Sequence, residues 1–551
     1  MCGIWAVFGA VENNAAKYVK CLEALKARGP EGTRIHPIGS CGFMGFTRLA
    51  INGLNEAGMQ PMMSNGNVWM ANGEIYNWKE LDKTYGLGCE SGSDCEVIGL
   101  LYEKLFSEAD HVGLGELFRM FDGVFACVLV DVARGRIIVA RDPYGVRPLY
   151  LGRTRDLVYF GSELKSLLPT CSVVSAFEPG SFQVYDLNTL DLLANEKYHT
   201  ISTLTLPGLK DVGAASHAVR NALEAAVKKR MMMERPVAAL LSGGLDSSLV
   251  ASLVARNLRE AGLAPLKTFS IGMKGSSDLL YARAVADWIG SDHTEVVVTA
   301  EEMFGAIRDV IWDIGSYDTT TVRASVGNWL VSRAVRNGCD CKVVFNGDGS
   351  DEVWGSYLYM FLAPSEREYE NEVVRLLDEI HTYDVLRSDR CISSHGLEPR
   401  TPFLDKAFVQ TVLSVPLELR RPVIGRLPEK WLLRRAFDDG VTLPRAVLWR
   451  QKEAFSDGVS PTEESWFQII QRMVGGLVSE EDMAYAAKKY PVNTPTTAEM
   501  YYYREIFEKF YGGFGMETVS VPAFWMPRWS DTKDPSARTL GKLLESLTPS
   551  T

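Results

Sequence analysis

Short apolar runs punctuated by Gly, Asn and Asp dominate the first part of the chain: Gly3–Gly9, Gly42–Ile51, Val68–Ala71, Val124–Val132, Arg136–Arg141 and Leu157–Ser162. Runs of this length, rich in Val, Ile and Phe, read as strands, and Ala133-Arg134-Gly135 reads as a hairpin connection. Amphipathic stretches such as Cys95–Phe106 fall between them. The pattern predicts antiparallel sheets with a few helices.

From about Ala214 the pattern changes. Single buried strands at Val237–Leu241, Leu266–Ile271, Thr294–Val298 and Lys342–Phe345 alternate with helical patterns at Ser247–Ala261, Leu279–Ile289 and Glu302–Ile314. Such alternation predicts a parallel α/β sheet. Beyond Ser365 the chain reads as mainly helical. Scattered Thr, Pro and Gly with weak periodicity place a linker at 194–212. The expected division is therefore 2–193, linker 194–212, a second domain over 213–535 and a tail over 536–551.

The length of 551 residues suits two large domains. The 69 acidic and 58 basic side chains are spread without long blocks. That argues against nucleic acid, which needs clustered Lys and Arg, but not against small anions. Ten cysteines without framework spacing read as reduced thiols in a cytoplasmic protein. The seven histidines form no HExxH pair, and Cys339 and Cys341 are too close for a CxxC site. No signal peptide and no apolar run of about 20 residues is present, so a membrane role is not expected.

Cys2 would become the free N-terminus once Met1 is removed, and an α-amino group with a pKa near 8 can serve its own thiol as base. Asn72-Gly73-Glu74 follows a strand and can present an amide and a backbone N–H to an oxyanion. Arg48 can hold a carboxylate with two parallel hydrogen bonds, and Asp94 can accept an α-ammonium. Each has an ordinary alternative: a surface ion pair, an Asn-Gly turn, a helix cap. Ser242-Gly243-Gly244-Leu245-Asp246-Ser247-Ser248 lies between a strand and a helix. Its glycines, hydroxyls and helix N-terminus suit phosphate, and Asp246 suits Mg²⁺ riding on it. It is not a Walker A loop. Gly347-Asp348-Gly349-Ser350-Asp351-Glu352 ends a later strand, where parallel sheets bind ligands, and Asp351 is a second Mg²⁺ candidate.

Met1-Cys2-Gly3-Ile4, Arg28-Gly29-Pro30, Arg48-Leu49-Ala50-Ile51, Asn72 to Asn77, Ser93-Asp94-Cys95-Glu96 and Arg141 to Leu149 resemble, in order, the signatures of class II glutamine amidotransferases. The resemblance implies an Ntn-type αββα sandwich. It implies Cys2 as nucleophile, Asn72 and Gly73 as oxyanion hole, and glutamine binding by Arg48, Leu49, Ala50, Ile51, Asn52, Glu74 and Asp94. The 242–248 loop resembles the pyrophosphate loop of ATP pyrophosphatases. Joined in this order, and with further matches at 317–325, 402–405 and 449–459, the chain resembles glutamine-hydrolysing asparagine synthetases.

That family adenylates aspartate with MgATP and lets ammonia displace AMP. The resemblance implies ATP contacts from Leu241, the 242–248 loop, Ile271, Asn346 and Gly347. Thr320, Thr321, Arg323 and Lys452 would serve aspartate and pyrophosphate, and Asp348 the chemistry. A homodimer is considered, though the residues do not specify it. Three departures stand out: Asn346-Gly347-Asp348 replaces the usual Ser-Gly-Glu, Ala27 the usual His, and Glu31 the usual Asp. A shift of ~1 Å at a reacting centre can cost on the order of 100-fold, so the shorter carboxylate at 348 matters, unless the backbone compensates. Other amidotransferases lack the SGGLDSS loop, and Cys2 disfavours a β-lactam-forming relative. A binding scaffold and an uncoupled glutaminase remain as alternatives.

Overall fold

The computed structural model describes residues 1–11, 15–108, 111–168, 170–171, 173–453, 455–461, 463–512 and 525–530; the expected tail, 536–551, lies outside them. Two six-stranded antiparallel sheets build the N-terminal half. In the first, Gly3–Gly9 lies between Gly42–Arg48 and Leu157–Gly161; in the second, Gly123–Asp131 lies between Asn67–Ile75 and Arg136–Arg141. Successive side chains point to opposite faces of a strand. Ile4, Ala6 and Phe8 therefore meet Met70 and Val128 between the sheets, whereas Trp5 and Val7 pack outward against Tyr18, Leu22 and Leu25. In the second sheet Trp69 and Ala71 join residues of helices Trp78–Tyr85, Glu96–Leu101 and His111–Met120. Burial on both faces explains why these antiparallel strands read as continuous apolar runs rather than as alternations. The arrangement is the expected αββα sandwich.

Some boundaries differ from those expected. Pairing of the second predicted strand stops at Arg48, which frees Leu49–Ile51 to leave the sheet. Strand Leu192–Lys197 runs into the segment expected to be linker, because its backbone pairs with Ser181–Asp186. The Cys95–Phe106 stretch becomes helix Glu96–Leu101 followed by a wider π turn at Tyr102–Phe106.

The C-terminal half is built on a five-stranded parallel sheet in the order Asp292–Val298, Lys267–Met273, Val237–Leu240, Val343–Phe345, Glu398–Arg400. The chain moves outward from Val237–Leu240, then returns to its other side with Val343–Phe345. The order reverses between these two strands, so the loops leaving their C-terminal ends diverge and open a crevice. Beyond Ser365 the chain is mainly helical, as expected, with the one short strand Glu398–Arg400 among its described residues. That strand contains Pro399, which an edge position tolerates. Helix Thr319–Gly338 starts beside the crevice, capped by Asp318, whose carboxylate accepts the Thr321 N–H at 2.8 Å. All ten cysteines are free. Among the described residues no helix is long and apolar enough to cross a membrane.

Trp69 is fully buried, donates its indole N–H to the Cys95 carbonyl at 3.0 Å, and packs where a Cβ on Gly99 would collide with its ring. Trp69→Ala is expected to cost about 3–5 kcal/mol, read as a lower midpoint in urea unfolding.

Candidate active sites

Cys2 directly precedes strand Gly3–Gly9 of the first sheet, with its Sγ 3.5 Å from the Leu49 carbonyl. Burial raises its thiol pKa, against the opposing nearby α-ammonium. Met1 is buried; its α-ammonium donates to the Leu397 carbonyl at 3.4 Å, and burial lowers its pKa to about 6. Asn72 is wholly buried, yet neither atom of its amide has a partner. Buried amides are ordinarily satisfied, so this orphan marks where another group belongs. A Cβ on Gly73 would stand 2.1 Å from the Val124 carbonyl, which restricts the position to glycine.

Arg48 donates to the backbone carbonyls of Asn55 (2.8 Å) and Gly53 (2.5 Å), so its guanidinium is held by the loop it would share with a ligand. Asp94 accepts the Ile75 N–H at 2.7 Å; burial pushes its pKa up to about 6. Burial, with Asp94 and Glu398 adding, raises Glu74 well above the carboxylate range, and Asn52 donates to it at 2.7 Å. Ala50 is clamped through both backbone groups. Its N–H donates to Glu31 (2.8 Å), and its carbonyl accepts from Arg235 (2.8 Å). Glu31 also pairs with Arg235 at 3.1 Å, so this departure ties the loop to the other half of the chain. Ile51 accepts the Glu234 N–H at 3.0 Å.

The second site is a cavity of about 260 Å³ at the strand-order reversal. Its lining includes Leu241, Ser242, Gly244, Asp246, Ser247, Ile271, Thr320, Thr321, Arg323, Asn346, Gly347, Asp348, Asp351 and Lys452. Two predicted residues stay outside the lining. Gly243, at φ +72°, packs against Tyr281 and Ala282, where a Cβ would lie 2.5 Å from Ala282 N; Ser248 is buried with an unpartnered hydroxyl. Ser247 Oγ accepts the Ser242 N–H at 3.1 Å, which folds the loop over the N-terminus of helix Leu245–Glu260. First-turn N–H groups there favour an anion.

Lys430 stands between the two candidate metal carboxylates, 2.6 Å from both Asp246 and Asp351; Lys452 pairs with Asp351 at 2.7 Å. Burial acts to raise Asp351, but the two ammonium groups hold it well below the carboxylate range. Burial and the Asp384 carboxylate push Asp348 up to about 7, against Arg387. The Thr320 and Thr321 hydroxyls are buried and unpartnered. Arg323 makes two parallel bonds to Glu499, at 2.7 and 2.6 Å.

One helix touches both sites. From Asp384–Ser393, the residues Asp384 and Arg387 line the cavity, while Asp389 and Ser393 accept from Arg28, whose Nε donates to the Cys2 carbonyl at 3.0 Å. Sequence reasoning missed Lys430, Glu499, Asp384, Arg387 and Ser388. Lys430 sits at φ +56° before helix Trp431–Ala436, in a stretch without periodicity or motif.

A cysteine-led sandwich joined to a doubly wound sheet with a Gly-Ser loop at its reversal point defines a two-domain amidotransferase. The family model described as glutamine amidotransferase domain matches residues 1–220, and that described as asparagine synthase matches 218–375 and 363–525. The chain is 42% identical over 570 residues to a Gallus gallus protein named asparagine synthetase (glutamine-hydrolyzing). It is 43% identical over 569 residues to the Homo sapiens protein of that name; each alignment covers 98% of both chains. The chain belongs to the glutamine-hydrolysing asparagine synthetase family.

Removing one partner of a buried ion pair strands the other charge. Glu499→Ala is expected to lower stability by about 3–5 kcal/mol, measured by urea unfolding, with Gln471 also losing its acceptor.

Proposed function

We propose that the chain makes asparagine from aspartate and ATP with nitrogen taken from glutamine. The observation that carries the reading is helix Asp384–Ser393, which joins a buried nucleophile site to a phosphate-type cavity. The Cys2 thiolate attacks the glutamine amide carbonyl. Asn72 and the Gly73 N–H receive the oxyanion, ammonia leaves, and water cleaves the thioester to glutamate. Removal of Met1 would give Cys2 an amine of its own to move the thiol proton. Arg48 and Asp94 hold the glutamine carboxylate and ammonium.

In the cavity, the aspartate β-carboxylate attacks the ATP α-phosphorus and pyrophosphate leaves, giving β-aspartyl-AMP. Ammonia then attacks the acyl carbon, AMP departs, and asparagine results. Leu241, Ile271, Asn346 and Gly347 border the nucleotide, the 242–248 loop its phosphates, Lys452 the departing pyrophosphate. Thr320, Thr321 and Arg323 border aspartate, and the unpartnered threonine hydroxyls support that placement. Asp348 faces the reacting carboxyl. Among the described residues no cluster of three His, Cys, Asp or Glu forms a metal cage. Two carboxylates, Asp246 and Asp351, suit Mg²⁺, which takes one or two carboxylates and fills its shell with phosphate and water. Bound with the nucleotide, it would supply charge neutralisation there. The working division keeps glutamine chemistry in 2–193 and synthesis in 213–535, with the linker beginning after Lys197. The retained Asp246, Asp351, Arg323 and Lys452 in one cavity favour an enzyme over a scaffold.

Cys2→Ala is expected to abolish glutamine-dependent asparagine formation and to preserve formation from added ammonium; asparagine made from glutamine by this variant overturns the nucleophile assignment. A second outcome concerns pH. Asp94 must be ionised to hold an ammonium, and its pKa lies at about 6, so protonation weakens binding below that value. The KM for glutamine, measured as glutamate release without ATP, should rise about tenfold per pH unit below 6.

A further inference from the structure

Asn346 lies at the end of strand Val343–Phe345, and its N–H donates to the Arg400 carbonyl at 3.1 Å, which pins its backbone to the edge strand. Its side chain is buried and fully committed. One Nδ2 hydrogen goes to Asp348 Oδ2 at 2.8 Å and the other to Ser388 Oγ at 2.6 Å. Its Oδ1 accepts the Asp348 N–H at 3.4 Å, closing a ring over Gly347.

The backbone of this loop has no room to adjust. A Cβ on Gly347 would lie 2.7 Å from Ser247 N and 2.9 Å from Asp246, so the loop is already pressed against the start of helix Leu245–Glu260. Two residues on, Gly349 at φ +85° faces Leu404, and its N–H is held by Asp384 at 2.8 Å. The reach of the carboxylate at 348 is therefore set by side chains. On one side stands the Asn346 amide. On the other stands Arg387, whose Nη2 is 4.0 Å from Asp348 Oδ1 and which also pairs with Asp384.

We propose that Asn346, anchored by Ser388, is a positioning residue that sets where the Asp348 carboxylate stands in the aspartate-activating cavity, so that positions 346 and 348 work as a matched pair. The inference rests on the reading of that cavity as the site of aspartate adenylation. A serine at 346 is too short to span Asp348 and Ser388 together. A glutamate at 348 carries its carboxylate one methylene further, out of register with the Asn346 amide that now bonds Asp348 at 2.8 Å. Either single exchange breaks the ring, whereas both together reproduce the usual Ser-Gly-Glu pattern.

The test uses the full-length enzyme and the variants Asn346→Ser, Asp348→Glu and the double exchange, supplied with Mg-ATP, aspartate and ammonium. Pyrophosphate release gives kcat and the KM for ATP, and glutamate release from glutamine without ATP verifies that each variant is folded. Each single exchange is expected to lower kcat at saturating ATP by about 10- to 100-fold. The double variant should recover to within about threefold of the parent, a non-additivity expected of residues in contact. Ser388→Ala should lower kcat in the same sense as Asn346→Ser. Losses that multiply in the double variant, or a single exchange that leaves kcat unchanged, overturn the pairing. Absence of aspartate-dependent pyrophosphate release from the parent enzyme overturns the underlying reading instead, and the pairing with it.

Discussion

Arg28 is where the two halves of the molecule are joined, and its pairing constrains the rest. Its Nε holds the Cys2 carbonyl, and its Nη1 is shared among Glu163 (2.6 Å), Asp389 (2.7 Å) and Ser393 (2.8 Å), at 1% exposure. Burial disfavours the charged guanidinium, but the carboxylates of Asp389 and Glu163 outweigh it and raise its pKa. A buried charge left without its partner costs several kcal/mol, so this arrangement exists only when three separate segments stand in register. Other charges repeat the device nearby. Arg400 pairs with Glu74 at 3.3 Å, Lys229 with Asp122 at 2.5 Å, and Arg235 with Glu31 at 3.1 Å. Apolar contact alone would let the halves slide; these pairs fix direction and distance. The N-terminal cysteine is thereby placed by the C-terminal half as much as by the strand that follows it.

The same logic shapes the cavity, with the signs arranged for a ligand. Asp246 and Asp351 would repel across the crevice between the two central strands, and Lys430 stands between them. The ammonium offsets that repulsion and holds the two loop ends close together. Thr320 and Thr321 contrast with this saturation. They lie in the first turn of a capped helix, and their hydroxyls are buried without partners. The crevice thus combines charges that are satisfied in advance with polar groups that await a partner.

What was legible in the sequence was local. The Gly-Ser-Asp loop, the Asn-Gly pair and the N-terminal cysteine are contiguous, and their chemistry follows from residue type and from the strand before them. The parallel strands were visible as isolated apolar runs, but their order was not, because pairing depends on contacts between distant segments. Strand Glu398–Arg400 escaped notice since so short a segment, with a proline, carries no period. Lys430, Glu499 and Ser388 were invisible for a related reason. Each acquires its role from a partner far along the chain, and alone each is an ordinary side chain on or beside a helix. Strand Leu192–Lys197 reaches into the segment expected to be linker because polar residues such as Asn195, Glu196 and Lys197 suit an edge strand as well as a loop.

The helix Asp384–Ser393 shows what such long-range contacts achieve together. At 1.5 Å rise per residue it spans about 15 Å, and it is held along its length: Cys391 donates to the Ser325 carbonyl, Leu386 and Ile392 are buried in the core. A packed helix moves as a body, so Arg28 cannot shift against Asp389 and Ser393 without disturbing Arg387 and Ser388 on the preceding turns. Those two residues bound the Asp348 carboxylate through a guanidinium and an amide. A continuous physical path therefore runs from the Cys2 carbonyl to the Asp348 carboxylate in the cavity, through one charged residue and one helix. The departures from the usual pattern fall at its far end, where Asn346 and Asp348 meet the helix, and in the glutaminase loop that Glu31 ties to Arg235. Changes at these points are tolerable only if they preserve the contacts through which the two sites stay in register, and the fully satisfied Asn346 amide meets that condition.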